Sequence, residues 1–255
     1  MCIRDREWNK AFETLGNEDD VLRFVSTACE RLGAPLQPLK GRGFQAPLKH
    51  LPQALTERLQ YADLLDLKYI DFKYPTTKGC TFIHRTHPLV AHLADYLTEI
   101  AMSGEDTTTI ARAGTIFSKA IENKTTVYLL RMRSRLRLKR GEHANDLLAE
   151  EALAVTLKDN KFTLLDRNKT IDIMQSEPSK NMNQTQRDRE LNAALQALEK
   201  SDNALDKLAN GRAESLLEDH RRVRDAAKAK GNYEVKPQLP PDVIGVCTLI
   251  PDLGL

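Results

Sequence analysis

The segment Thr125 to Lys139 constrains the fold of this chain more than any other part of the sequence. Its second half alternates strictly between two kinds of side chain. One set of alternate positions holds Leu130, Met132, Ser134, Leu136 and Leu138, and the other holds Arg131, Arg133, Arg135, Arg137 and Lys139. Successive side chains of a β-strand point to opposite faces of the sheet, so the segment is predicted to be a strand with one packed face and one basic face.

The surrounding sequence predicts an α+β fold. Helical spacing of apolar residues predicts helices at 17–32, from Pro52 to about Leu65, and from His87 onward. A short strand is predicted at 67–74, and Ala111 to Ile121 is predicted to pair with the basic strand through the turn Glu122-Asn123-Lys124. A second hairpin is predicted at 153–165 around Asp159-Asn160. The centre of the fold is therefore expected to be an antiparallel sheet of hairpins.

The C-terminal third is predicted to be helical and then extended. Residues 183–230 lack proline and form either one long helix or a helical hairpin interrupted at Asn210-Gly211. A last buried strand is predicted around 242–250, returning to the central sheet. In domain terms, residues 1–6 are interpreted as a sequence artefact, residues 7–80 as a helical N-terminal segment, and residues 81–255 as an α+β module.

Composition excludes several classes of protein. The chain has 255 residues, of which 41% are hydrophobic and 29% charged, so it is expected to fold around a core rather than remain disordered. No apolar run is long enough for a membrane span, and the four cysteines form neither a disulfide framework nor a zinc ribbon. The expectation is a cytoplasmic protein that does not associate with membranes.

The small net charge of +2 hides an uneven distribution. Residues 112–140 contain nine basic side chains and a single acidic one, Glu122, which gives this window a charge of +8. Alternate positions on a strand are about 6.6–7 Å apart, close to the spacing of successive phosphates along one nucleic-acid strand. The residues predicted to bind nucleic acid are Arg131, Arg133, Arg135, Arg137, Lys139, Arg221, Arg222 and Arg224. The alternative is a solvated face or a ladder of ion pairs, and for the helix-terminal arginines a complement to the helix dipole.

Other polar clusters have simpler interpretations. Cys80, His84, His87 and His92 contain zinc-ligand chemistry without the spacing of a common site, so capping, packing or exposure is favoured over metal binding. Glu150-Glu151 contains acid–base chemistry, but one carboxylate is expected to face the arginines and the other to face solvent or cap a strand. No phosphate loop, dinucleotide fingerprint or hydrolase motif is present, so no catalytic residue, metal or cofactor is expected in this chain.

Six strings, taken in order, resemble the C-terminal region of bacterial Snf-type helicase-like ATPases, in particular the RapA-like group and the large helicase of the DISARM phage-defence system. The strings are His87-Pro88-Leu89-Val90, Ala111-Arg112-Ala113-Gly114-Thr115, Thr126 to Leu138, Leu147-Leu148-Ala149-Glu150-Glu151, His220-Arg221-Arg222-Val223-Arg224-Asp225-Ala226-Ala227, and Pro241-Asp242-Val243-Ile244-Gly245-Val246. The resemblance spans residues 81–251.

The resemblance implies a parent protein that translocates on double-stranded DNA by hydrolysing ATP with Mg²⁺. Its two motor lobes would precede this region, so the chain is expected to be an N-terminally truncated, non-catalytic accessory fragment. Implied partners are its own motor lobes, double-stranded DNA, and RNA polymerase or defence-system proteins. The alternative function is a structural module that docks onto another protein through its long helix without touching nucleic acid.

Overall fold

The computed structural model describes residues 17–104, 110–140, 143–226 and 232–254, with side chains described in these ranges except at positions 139, 140, 143, 144 and 226. The predicted α+β class is confirmed: helices and strands both occur in each part of the chain. The hexapeptide 1–6, interpreted as an artefact, lies outside the described residues.

The chain divides into two compact units, Met1–Ala111 and Arg112–Leu255. This boundary falls later than the division near residue 80 expected from the sequence. Residues 81–103 belong to the first unit because strand β4 (Thr81–Phe82) pairs with an earlier strand, β3 (Tyr69–Asp71). In addition, Leu89 and Leu93 of helix α3 (Pro88–Ser103) are fully buried in the first unit's core.

The first unit packs three helices on a small sheet. Helix α1 (Glu18–Arg31) confirms the first predicted helix; it begins with a capping box between Asn17 and Asp20. Helix α2 (Gln53–Tyr61) is shorter than predicted, because Asp63 adopts a left-handed backbone conformation that stops helical pairing. The sheet also contains β1 (Gln37–Pro38) and β2 (Phe44–Gln45), in the order β1-β2-β3-β4.

His87 starts helix α3 as its N-cap. Its ring Nδ1 accepts a hydrogen bond of 3.1 Å from the backbone N–H of Leu89. Burial, and to a smaller extent the neighbouring His84, lowers the pKa of His87 from its usual value of 6.5. Capping requires an unprotonated Nδ1, and the lowered pKa favours this form of the ring.

A pH dependence of stability follows from this cap. Because the folded pKa of His87 lies below the unfolded value, its contribution to stability is present above about pH 6.5 and is lost as the pH falls through the folded pKa. Asparagine also caps helices but does not titrate. We expect His87→Asn to flatten the acid-side loss of unfolding free energy relative to the wild type, measured by urea denaturation from pH 7.5 to about pH 5. Identical pH profiles for the two proteins would contradict this role.

The second unit is built on a six-stranded sheet. Its strands are β5 (Ala113–Ser118), β6 (Thr125–Arg140), β7 (His143–Lys158), β8 (Lys161–Leu164), β9 (Asn232–Pro237) and β10 (Asp242–Pro251). The order is β5-β10-β6-β7-β8. Strand β9 pairs with the later half of β6, on the same side as β10 and beyond the first residue of β10. The predicted strand at 125–139 is confirmed and occupies the centre.

The predicted hairpin between Ala111–Ile121 and the basic strand is wrong. Strand β10 lies between them, parallel to β5 and antiparallel to β6. The turn-forming residues 122–124 favour local pairing, but β10 carries apolar side chains on both faces, such as Val246 and Leu249. A strand that is apolar on both faces gains more by occupying the middle of a sheet than its edge.

The second predicted hairpin is confirmed, and its first strand is longer than predicted. Asp159 and Asn160 both have positive φ angles, 49° and 58°, as a tight two-residue turn between β7 and β8 requires. Strand β7 begins ten residues before the predicted start. Its early residues, including Leu147, Leu148 and Glu150, do not alternate and favour helices, so the pattern conceals the strand.

The long helix predicted at 183–230 is two helices, α5 (Gln184–Glu199) and α6 (Asp202–Ala226). The break falls at Lys200-Ser201 rather than at Asn210-Gly211. The Ser201 hydroxyl donates to Asn160 Oδ1 at 2.6 Å, which ties the break to the β7–β8 turn. The helix α6 continues through Asn210-Gly211 without interruption. Residues 227–230 of the predicted helix lie outside the described part of the chain.

The helices cover one face of the central strand. Tyr128, Leu130 and Met132 of β6 are buried against apolar residues of α5 and α6, and the Tyr128 hydroxyl donates to the Ala194 carbonyl at 2.8 Å. A further helix, α4 (Arg167–Met174), was not predicted. Its Ile173 packs with Val127 and Leu249 on the opposite face of the sheet.

Candidate nucleic-acid interface

The alternating arginines of β6 lie on one face of the sheet. That face begins with the buried Val127 and the partly buried Leu129, which pack with Ile173 of α4. Beyond them it continues as a row of arginines whose side chains are 35–48% exposed. We call Arg131, Arg133, Arg135 and Arg137 the arginine row. The predicted separation of packed and basic faces is confirmed for these four residues.

Two aspartates each bridge two arginines of the row. Asp242 at the start of β10 lies 2.8 Å from Arg131 and 3.3 Å from Arg133. Asp146 on β7 accepts two hydrogen bonds from Arg137, at 2.8 and 3.1 Å, and lies 3.9 Å from Arg135. The row therefore contains two guanidinium groups for each bridging carboxylate.

The ion pair between Asp146 and Arg137 shifts the pKa of both groups. The hydrogen bond from Arg137, and then the charges of Arg137 and Arg135, hold the pKa of Asp146 below its usual value of 3.8. The hydrogen bond to Asp146 in turn raises the pKa of Arg137. Both groups are exposed to solvent, so these pairs contribute little to stability, and exchanging a partner costs little free energy.

The surroundings of the arginine row are much less basic than the charge of +8 in residues 112–140 suggests. The cross-strand neighbours of the row add Lys236, but they also add Glu150 and Glu234. The arginine row and its described cross-strand neighbours together contain five cations and four carboxylates, a net charge of +1. The charge count for residues 112–140 did not predict this small net charge, because strand pairing places carboxylates from distant parts of the sequence beside the arginines.

The structure does not bring all eight predicted binding residues together. Arg224 donates to the Tyr233 hydroxyl at 2.8 Å and lies 5.4 Å from the centre of its ring. Tyr233 is opposite Leu138 on the helix-covered face, so Arg224 lies on the other side of the sheet from the arginine row. Arg222 pairs with Asp219 at 2.9 Å, and Arg221 shares this helix. The side chain of Lys139 lies outside the described residues.

The two glutamates of β7 have different environments. Glu150 is opposite Arg133 in the register, on the face predicted for one of the pair. Glu151 points to the helix-covered face, where it accepts two hydrogen bonds from Arg212, at 2.9 and 2.7 Å. This second carboxylate was expected to face solvent or to cap a strand, so its contact with Arg212 differs from the prediction. No local pattern indicates this partner, because Arg212 lies 61 residues away on α6.

The cluster of cysteine and histidines shows packing and capping contacts. The rings of His84 and His87 are 5.8 Å apart, and His87 caps α3. Within the part of the chain that the structure describes, no group of three His, Cys, Asp or Glu side chains is arranged to hold a metal ion.

The family model for a domain of unknown function, DUF8741, matches residues 101–254. The chain belongs to this family. The DUF8741 match contains all of the second unit's described strands and helices, including the arginine row. Neither a curated protein nor a solved structure matches the chain. In the described ranges, none of the helices combines the length and apolar character needed to cross a membrane.

Proposed function

We propose that this chain is a non-catalytic accessory part of an ATP-dependent DNA helicase or translocase and that its arginine row contacts the DNA backbone. The motor lobes, with their ATP and Mg²⁺, would belong to the parent protein in the cytoplasm. Double-stranded DNA and the protein's own motor lobes are the proposed partners, with RNA polymerase or a phage-defence protein as a further partner.

One observation carries this proposal: four solvent-accessible guanidinium groups lie along one strand, and among the described side chains two aspartates bridge them. Each guanidinium has five N–H donors, so an arginine that already binds an aspartate retains donors for a phosphate. Their alternate spacing of about 6.6–7 Å matches successive phosphates on one strand. The resemblance to Snf-type ATPases supports DNA as the source of those phosphates.

The salt dependence of binding tests the proposal. We expect the whole chain to bind a short double-stranded DNA with a log–log salt slope of about −3.6 when all four arginines contact phosphates. This slope corresponds to a roughly 150-fold loss of affinity between about 50 and 200 mM salt. Fluorescence anisotropy of labelled DNA measures it. Absent or salt-insensitive binding would refute DNA contact.

Neutralising the bridging aspartates makes the test specific to the row. We expect Asp146→Asn with Asp242→Asn to tighten DNA binding about tenfold, because the arginines no longer share their donors with a carboxylate. The control, Asp206→Asn with Glu214→Gln, makes the same change in net charge on helix α6. Equal tightening by both pairs would indicate a non-specific charge effect and would contradict contact through the arginine row.

A protein-interaction module that docks through its helices is the second candidate. It is favoured by the small net charge of the arginine face and by two apolar side chains exposed on the helical layer, Leu195 of α5 at 38% and Val223 of α6 at 46%. Under this candidate, the protein does not bind DNA, and its association with a partner depends on the helical layer.

A further inference from the structure

The outer edge of strand β7 is open over much of its length. Strand β8 pairs with β7 from Val155 onward, and the Ala154 carbonyl accepts the N–H of Leu165. In the described chain, residues 143–153 of β7 pair on their inner side only, with β6. We call residues 143–153 the open edge. Its backbone N–H and C=O groups are available to another strand.

The direction of these backbone groups follows from the neighbouring strands. The Arg133 carbonyl accepts the N–H of Gln238, so Arg133 directs its backbone groups away from β7. Ser134 therefore directs its groups toward β7 and its opposite residue, Ala149. By the same alternation, the even-numbered residues of β7 direct their N–H and C=O groups outward. The outward-pointing carbonyl of Ala154 agrees with this assignment.

The open edge lacks the usual protection against pairing. Between Asn145 and Leu153 it has no proline, glycine or lysine, which commonly block exposed edges. Leu147 and Leu148 are each 58% exposed and lie on opposite faces of the strand. Two of its acids are already paired within the chain, Asp146 with Arg137 and Glu151 with Arg212. The edge thus presents apolar side chains with much of its own negative charge compensated.

We propose that the open edge pairs with the same edge of a second copy of this chain, antiparallel and centred on Leu148. Three observations favour an identical partner. The midpoint of 143–153 is Leu148, so a symmetric pairing uses the whole open stretch and stops before Val155, the first residue of β7 that pairs with β8. Leu148 directs its backbone groups outward, as the central hydrogen-bonded pair requires. Finally, the compensated carboxylates reduce the repulsion that two identical acidic edges would otherwise experience.

The symmetry of this pairing determines which faces of the two sheets lie on the same side of the dimer. When two copies pair through identical antiparallel edge strands, a twofold axis perpendicular to the sheet relates them. Each face of one sheet therefore continues into the same face of the partner's sheet. The arginine rows of the two copies then lie on one side of a continuous twelve-stranded sheet. This arrangement extends a phosphate-binding surface where DNA contact holds, but the pairing itself does not depend on DNA.

Sedimentation equilibrium of the whole chain tests the pairing. We expect the wild type to associate to twice the chain mass. Leu148→Lys places a charge at the centre of the interface and is expected to weaken association at least tenfold. Leu148→Pro removes an outward N–H without removing a bond to β6, and is expected to have a similar effect. The matched control, Leu239→Lys in the segment between β9 and β10, alters a leucine that is 47% exposed and lies away from the edge, and it is expected to associate like the wild type.

A cross-link tests the register. A hydrogen-bonded antiparallel pair has Cα atoms about 5.5 Å apart, within the range that a disulfide spans. We expect Leu148→Cys to form a covalent dimer on mild oxidation, whereas Leu239→Cys and the wild type do not. A wild type that stays monomeric, or Leu148 variants that associate like the wild type, would refute the pairing. Since no DNA is present, these results are independent of the DNA-binding test.

Discussion

Leu130→Ala lowers the free energy of unfolding of the second unit by about 2–5 kcal/mol. Leu130 is fully buried on the central strand β6 and packs beneath helices α5 and α6. Truncation removes its apolar contacts and leaves a cavity under two helices that are tied to the sheet at other points, such as the Tyr128–Ala194 hydrogen bond. The surrounding structure therefore has little freedom to close the cavity, which favours the upper part of the range.

Urea denaturation followed by circular dichroism measures this loss, and hydrogen exchange of β6 amides assigns it to the second unit. The control is Leu164→Ala on β8, where the side chain is 43% exposed and a change below about 0.5 kcal/mol is expected. A loss smaller than about 1 kcal/mol for Leu130→Ala would contradict the position of this residue at the centre of the packed face.

Arg133→Glu with Arg135→Glu abolishes the salt-sensitive DNA affinity proposed for the arginine row. The two reversals remove two positive charges from the middle of the row and add two negative ones, and they leave Asp146 and Asp242 to repel a phosphate backbone. The expected loss of affinity is at least 100-fold at low salt, and the salt slope approaches zero. Fluorescence anisotropy with the same labelled DNA gives both quantities.

The matched control is Arg189→Glu with Lys207→Glu. These residues lie on α5 and α6, on the other side of the sheet, and the change in net charge is the same. We expect the control to retain most of the wild-type affinity. Equal losses in both variants would contradict a binding face on β6. Loss of association with a protein partner in the β6 variant, at unchanged DNA affinity, would favour the interaction-module alternative.

Local patterns predicted the elements that depend on near neighbours. The strict alternation in β6 identified both the strand and its two faces, because side-chain direction in a strand repeats every two residues. Asn17 and Asp159-Asn160 likewise identified a helix start and a turn from short-range hydrogen bonding and backbone preference. In each case the physical cause lies within a few residues.

The missed features depend on distant partners. The insertion of β10 beside β6 joins residues more than 100 positions apart, and no local signal encodes that choice. The near-neutral charge of the arginine face has the same origin, since Asp242 and Asp146 reach the row through strand register. A basic segment of sequence therefore identifies the cations of a surface, but it does not predict which carboxylates the fold places between them.

The position of β10 has a consequence for biosynthesis. Strand β5 leaves the ribosome more than 120 residues before the strand that separates it from β6. Until residues 242–251 emerge, β5 lacks the strand that joins it to the sheet, and one side of β6 is unpaired from Thr125 to Arg131, so the nascent chain exposes strand edges during this interval. Completion of the sheet is thus a long-range event that waits for the synthesis of β10.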